Sequence, residues 1–487
     1  MATQVWLPPI VRQIVQCVYD ADDVAAFLCA LPTSAIDDAL DALRTLLAPG
    51  HMYHLWPFPN TQAMPGVDVS MLARALPAMR TLCVDESWLR ANRSRVGRAP
   101  STTIHAYVHD VPRLRANYGD WVESITLMAI NVPFMMRLDP RALAHCAQLR
   151  ALYIHWQFGS VDQGQLDDVL GVIRASCPRL RRLRLSVDRL SLLDNASSLV
   201  AWLARPNTRE LKIIGIDFAP AAAKKVAHTM LASTTLTMLK LLLVPNVTRF
   251  LLDLSLPPVP PQLRRLALRR EKLPAEAFAA KIAGSRLVGF ALAMVEPVDV
   301  TQIVRVLASI PTLRKIKLEN ARLTALPPMP QLQALVLPSV TVTNDVVEGI
   351  VLLLTSSQQL GRLNISETPL SDAQMSGILL ALSGWLSRRR DTSYVALRIS
   401  KASSTQLTAA LRQTRNTNEI QLQVRDMGLG LAGRKRIVTV LRATSKVSLQ
   451  FKYDADWADD DQQRLEDHGR RHRIEFEQDW AFSPSGN

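Results

Sequence analysis

One motif constrains this chain more than any other. The segment CPRLRRLRL, residues 177–185, recurs as IPTLRKIKL (310–318), PPQLRRLAL (260–268), MPQLQALVL (329–337) and LPAMRTLCV (76–84). Looser copies such as QLRALYI, TLTMLKLLL, QLGRLNI, KVSLQF and RIEFEQ share the frame L-x-x-L-x-L. Copies begin near 79, 122, 149, 180, 208, 236, 263, 287, 313, 332, 360, 394, 417, 444 and 471. Most intervals from 122 onward are 23 to 31 residues, enough for one strand and one helix. A strand-plus-helix unit leaves an apolar face open, and only stacking closes it into a core.

Between the copies lie segments with apolar residues three and four apart: QLDDVLGVIRAS, DVTQIVRVLASI, NDVVEGIVLLLT, DAQMSGILLALSGWL and STQLTAALRQT. That spacing predicts helices. Asp and Ser stand where N-caps belong, and Pro178 and Pro311 stand where helices must stop. One unit departs. Its linker ENARLTALPPMPQ is too short and Pro-rich for a helix, so an extended or turn-like segment is expected. The fold class is α/β, a solenoid with parallel strands on a concave face and helices on a convex one.

The pattern resembles the leucine-rich repeat family in its ribonuclease-inhibitor-like and cysteine-containing types. The C-P-x-L-x-x-L-x-L form at Cys177 is similar to the unit of leucine-rich F-box proteins, and NISETPLSDAQMSGILLAL to a ribonuclease-inhibitor-like unit. The resemblance implies a continuous leucine-rich repeat solenoid over 76–487 with an acidic C-terminal cap. Residues 49–75 then form a linker or an irregular first repeat.

Residues 7–47 read differently. Pro8 and Pro9 open a helix ending near Tyr19, Asp22 caps a second that Pro32 stops, and Ser34 caps a third. The segment 1–48 has two open readings. It is a cap over the exposed edge of the first repeat, which a repeat array needs. Alternatively it is an F-box, which the opening L-P-P-x-V-x-x-x-I resembles. Leu7, Pro8, Val11, Val15, Asp23, Val24 and Phe27 match that family's positions. The resemblance implies that Leu7, Pro8, Val11, Val15, Val24 and Phe27 dock a Skp-type adaptor, with the repeats as substrate receptor of a cullin-RING ubiquitin ligase.

Composition narrows the context. The five cysteines are scattered without metal-ligand spacing, so reduced intracellular thiols are expected. The N-terminus lacks a basic region followed by an apolar core, and the most apolar run carries Lys240, Pro245, Arg249 and Asp253. A soluble, monomeric cytoplasmic or nuclear protein is the expectation. The net charge of +14 is uneven: residues 1–100 carry −1, 453–487 carry −6, and the middle carries +21.

Several motifs invite chemistry without supporting it. GLGLAG (428–433) is a literal G-x-G-x-x-G between a strand and a helix, but every repeat unit has that context, and too little chain follows for a dinucleotide-binding sheet. The acids Asp454, Asp456, Asp459, Asp460 and Asp461 lack the Gly and Glu of a calcium loop and suit the start of a capping helix. His105, His109 and His155 read as ordinary surface or core residues, and no Ser, Cys or Lys stands in a catalytic frame. No enzyme activity, metal or cofactor is expected.

Within L-x-x-L-x-L-x the third, fifth and seventh positions point away from the core, because strand side chains alternate. Those positions hold Arg182, Arg184, Lys212, Lys240, Arg265, Arg269, Lys315 and Lys317, then Arg362, Arg398 and Lys446, against the acids Glu210, Glu319 and Glu419. Arg150, Arg181, Arg209, Arg264 and Arg314 fall at the second position and read as a solvated rim. An acidic protein partner on the concave strip from Arg182 to Lys317 is expected, with a neutral gap at Gly289, Ala291 and Ala293. The alternatives are a regulatory protein similar to Ran GTPase-activating proteins, and a nucleic-acid binder. The last is disfavoured because aromatics do not interleave with the basic positions.

Overall fold

The computed structural model describes residues 8–18, 21–48, 56, 59–61, 67–92, 94–96, 103–108, 114, 118–133, 138–270, 274–389, 391–414, 419–441, 447–452, 459–472, 474–477 and 481–484. The chain divides into two compact units, Met1–Leu236 and Thr237–Asn487.

In the first unit, helices Pro8–Val15, Ala21–Ala30 and Asp38–Leu46 precede β1 (Thr81–Asp85), β2 (Thr103–Val108), β3 (Ile125–Val132), β4 (Ala151–Trp156), β5 (Arg182–Leu193) and β6 (Glu210–Phe218). Each strand pairs in parallel with the next. Leu152, Leu183 and Leu211 are in register, as are Ile154, Leu185 and Ile213, and all are buried. Alternation sends these side chains to one side of the sheet. Strand entry is pinned by a repeated backbone device. The Arg150 carbonyl accepts from the N–H groups of Arg181 (2.8 Å) and Arg182 (3.0 Å), and the Arg181 carbonyl from those of Arg209 (2.8 Å) and Glu210 (3.0 Å). Register thus passes from unit to unit through the residue after the first leucine.

Four details differ from the sequence reading. Strand β2 was not expected, since TIHAYV has no leading leucine; it shows itself by alternation alone. The third helix is capped by Asp37, whose carboxylate accepts from Leu40 N at 3.0 Å and from Arg12 Nε at 2.9 Å. Ser34 instead sits in the turn Thr33–Ala35, Asp22 lies inside the first turn of its helix, and the first helix ends at Val15. A carboxylate serving both a helix N-terminus and a guanidinium outcompetes a hydroxyl.

The second unit contains β7 (Met238–Leu242), β8 (Arg265–Arg270), β9 (Gly289–Met294), β10 (Lys315–Glu319), β11 (Arg322–Leu323), β12 (Ala334–Val336), β13 (Thr341–Val342), β14 (Arg362–Asn364), β15 (Ser393–Ser400), β16 (Ile420–Met427), β17 (Val447–Lys452), β18 (Ile474–Glu477) and β19 (Ala481–Pro484). Strands β7 to β10, β12 and β14 to β17 form a parallel ladder in chain order. Serine caps two of the helices between them: Ser371 forms a capping box with Gln374, and Ser400, ahead of the expected start at Ser404, caps Lys401–Gln413, whereas the N-cap residues Val300 and Thr343 make no side-chain cap bond. In the Pro-rich unit no helix forms between β10 and β12; β11 and β13 pair there as a separate parallel sheet.

Two further corrections arise near the C-terminus. Val395, Leu422 and Leu449 align with Leu363, so the frame begins two residues later than the pattern suggests in β16 and β17. Glu419 therefore precedes the outward positions, and Lys446 lies outside the described residues. The last copy is not a parallel strand: β18 pairs antiparallel with β19, which pairs antiparallel with β17. Only residues 478–480 separate β18 from β19, far too few for the crossover a parallel pair requires. The acids at 459–461 open the helix Asp459–Arg471, and the GLGLAG run leads from β16 into the helix Gly430–Leu441, with Gly428 and Gly430 at φ of 76° and 60°.

Candidate functional site

In the second unit the outward residues fall into rows. Arg265, Gly289, Lys315, Ala334 and Arg362 are register partners across five strands. Two residues further along, Lys240, Ala267, Ala291, Lys317, Val336 and Asn364 form a second row. Together they line a groove of about 710 Å³. Its floor is Gly and Ala, because β9 contributes only Gly289 and Ala291 to it on this side, and its walls are basic. A floor without long side chains lets a ligand approach the sheet between cations held on either side.

Local pairing leaves the groove positive. Of the two carboxylates that line it, Glu319 pairs with Lys317 at 2.8 Å and Glu367 with Arg425 at 3.5 Å. The Arg362 guanidinium lies 4.5 Å from the centre of the Tyr394 ring, which fixes its orientation. Among the described residues, Arg265 and Lys315 have no carboxylate partner, and both are exposed. Tyr394 in turn donates to Gln423 Oε1 (2.9 Å), and Gln423 Nε2 to Gln450 Oε1 (2.7 Å), so the face beyond Arg362 is a ladder of amides.

Of the eight basic residues on the expected strip from Arg182 to Lys317, Lys240, Arg265, Lys315 and Lys317 line this groove, joined by Arg362 beyond it. Arg269 is exposed, but it stands in a third row beside Leu242 and Ala293 and is not among the lining residues. Arg182, Arg184 and Lys212 belong to the first unit, where Arg182 Nε pairs with Glu210 at 3.3 Å. Three of the arginines at the second position, Arg209, Arg264 and Arg314, each turn Nη1 onto a backbone carbonyl, at 3.1, 3.3 and 2.8 Å.

The first unit holds a second cavity of about 440 Å³, chemically unlike the groove. Tyr107, Asn131, Tyr153, His155, Arg184 and Asp188 line it. His155 Nε2 lies 2.9 Å from Asp188 Oδ1, while Asp188 Oδ2 accepts from Phe158 N at 2.8 Å. Those two bonds, the backbone one first, hold the Asp188 carboxyl below its ordinary range. Nearby, His105 Nδ1 lies 3.8 Å from Cys83 Sγ, and burial followed by the charge of Arg182 pushes its imidazole down. Sequence reasoning passed over Tyr107, Asn131 and Tyr153. The alternation of TIHAYV was the available signal, and without β2 the row containing Tyr107 could not be assembled.

At the N-terminus, Val11, Val15 and Val24 are fully buried, Pro8 and Phe27 are half-buried, and Leu7 lies outside the described residues. Gln16 Nε2 donates to Ala78 O at 3.4 Å, which ties the end of the first helix to the chain just before β1, and Trp56 Nε1 donates to Val18 O at 2.8 Å. Among the described residues no helix is long and apolar enough to cross a membrane, and no three His, Cys, Asp or Glu side chains converge as metal ligands.

No family model matches the sequence, and no curated protein does. Two solved structures are similar at low identity. An internalin, InlF, of Listeria monocytogenes aligns at 13% identity over 94% of this chain and 100% of that one, with a TM-score of 0.32. The PEPR1–AtPEP1 structure aligns at 10% identity over 78% of this chain and 60% of that one, with a TM-score of 0.26. Scores this low assign no function.

Proposed function

We propose that the chain is an interaction scaffold whose second-unit groove captures an acidic segment of a protein partner and performs no chemistry on it. The observation that carries this reading is the juxtaposition of Lys240, Arg265, Lys315, Lys317 and Arg362 over a Gly and Ala floor. Cations in a concave, low-dielectric wall focus the field and accelerate capture of an opposite charge. A guanidinium desolvated against a carboxylate then adds affinity. Labelled poly-glutamate tests this as a probe. Binding should saturate, weaken with salt, and protect Lys240, Lys315 and Lys317 from acetylation. Acetylation of all three at the free-protein rate in the presence of bound probe would overturn the groove as the site.

For residues 8–48 a specific observation favours capping. Burial of Val11, Val15 and Val24 supports the capping role, since these side chains are already spent on the protein's own core. Adaptor docking, and with it a place in a ubiquitin ligase, requires the same three to be presented to a partner. A pull-down with a purified Skp-type adaptor decides the matter, and capping predicts no retention.

A further inference from the structure

We propose that the strand face of the first unit carries a nucleotide site, in which a nucleobase stacks between Tyr107 and Tyr153 and its phosphate meets Arg184. This inference is independent of the acidic-partner reading and rests on different residues.

The geometry comes from register. Tyr107, Ala129, Tyr153, Arg184 and Lys212 are successive partners across β2, β3, β4, β5 and β6. Neighbouring strands are about 4.8 Å apart, so the two tyrosines stand roughly 9.6 Å apart with only the methyl of Ala129 between them. A planar ring placed midway lies about 4.8 Å from each, within the roughly 4.5–7 Å over which aromatic pairs attract. The slot therefore takes one ring. Tyr107 is exposed and Tyr153 half-exposed, so both rings are reachable.

The surroundings supply what a nucleotide needs beyond stacking. Asn131 and His155 are register partners in the next row of the same cavity. An amide offers both a donor and an acceptor to a base edge. His155 is oriented by Asp188, and that carboxylate is engaged by His155 and Phe158 N. At the other end of the row Asp85 is buried and accepts from Ser87 N at 2.9 Å. Arg184 is exposed, follows Tyr153 directly in the row, and among the described residues has no carboxylate partner. An aromatic peptide side chain would use the slot but leave Arg184 idle, whereas a nucleotide joins a ring to a phosphate. The chemistry is the same for a free nucleotide and for a single-stranded polymer, in which base stacking is sequence-tolerant.

The test uses the full chain and fluorescence anisotropy with labelled oligo(U) and oligo(A), competed by unlabelled AMP or UMP. Saturable binding is expected, weakened about tenfold by Tyr153→Ala, as loss of one stacked base predicts. Tyr107→Ala should act in the same direction. Tyr153→Phe keeps the ring and should retain binding, Arg184→Gln should weaken it, and Arg305→Gln, on a helix of the other unit and in neither cavity, should leave it alone. Unchanged melting temperatures keep the alanine variants interpretable. Competition by the mononucleotide upholds the site with a free nucleotide as its ligand; competition by the polymer alone upholds it with a single strand. The proposal falls if neither probe binds, if binding ignores both tyrosines, or if a phosphate-free aromatic peptide competes better than either nucleotide.

Discussion

Leu183 has 1% of its surface exposed and sits in register between Leu152 and Leu211. Truncating it removes buried methylenes and leaves a cavity between stacked units, so Leu183→Ala should cost about 2–5 kcal/mol in equilibrium denaturation. A cost near zero would contradict the core assignment. Titration offers a second check. Burial, then Arg182, depresses the His105 pKa in the folded chain, so the unfolded state binds the proton more readily. The stabilising contribution is full above the ordinary imidazole value of about 6.5 and is lost as pH falls below it. Denaturation midpoints between about pH 7 and 5 should therefore fall less in His105→Gln than in the parent. Equal falls would show that His105 is not the group responsible. Thiol chemistry gives a third. Desolvation pushes Cys146 up to about 12 and Cys177 to about 11, and raises Cys83. A maleimide at neutral pH should label exposed Cys17 and Cys29 in the native protein and reach those three only after unfolding. Residue identities that face the core were legible because one leucine in the wrong phase exposes a whole set. Outward residues were legible as a list but not as a site: Arg269 at a seventh position and Lys317 at a fifth both point away from the core, yet only the rows created by strand pairing show which one borders the groove.

At the scale of elements, the Pro-rich unit has a measurable consequence. With no helix there, the next one, Asn344–Ser356, packs so near the extended backbone that a Cβ on Gly349 would lie 2.6 Å from Leu326 O and 2.8 Å from its Cβ. Alanine normally favours a helix interior over glycine by about 1 kcal/mol. Here the sign should reverse, and Gly349→Ala should lower the melting temperature, while Gly377→Ala, where a Cβ meets nothing within 4 Å, should not. If Gly349→Ala is as stable as the parent, the close approach is not real. Helices were readable from their period and their Pro stops, and the missing helix from its prolines. The antiparallel ending was not, because RIEFEQ carries the same alternation as any strand and only its pairing with β19 fixes direction. The N-terminal helices were visible as three apolar segments, but whether Val11, Val15 and Val24 face a partner or the protein is a tertiary fact that local pattern does not encode.

At the scale of the whole molecule, charge is partitioned along the chain: the net +14 is the sum of a strongly basic middle and a distinctly acidic end. A surplus of that kind by itself signals only solubility and attraction to acidic matter. Position is what turns it into a site, and in the second unit Lys240, Arg265, Lys315, Lys317 and Arg362 gather on one groove while Arg264 and Arg314 bend back onto the backbone. The most direct test is therefore kinetic. Stopped-flow association of an acidic peptide should be compared for the parent, for Arg265→Glu with Lys315→Glu and Lys317→Glu, and for Arg264→Glu with Arg314→Glu. Charge steering predicts that the groove variant associates at least about tenfold more slowly at low ionic strength, with the difference shrinking as salt rises, and that the rim variant stays close to the parent. Equal association rates for all three proteins would contradict the groove as the binding surface.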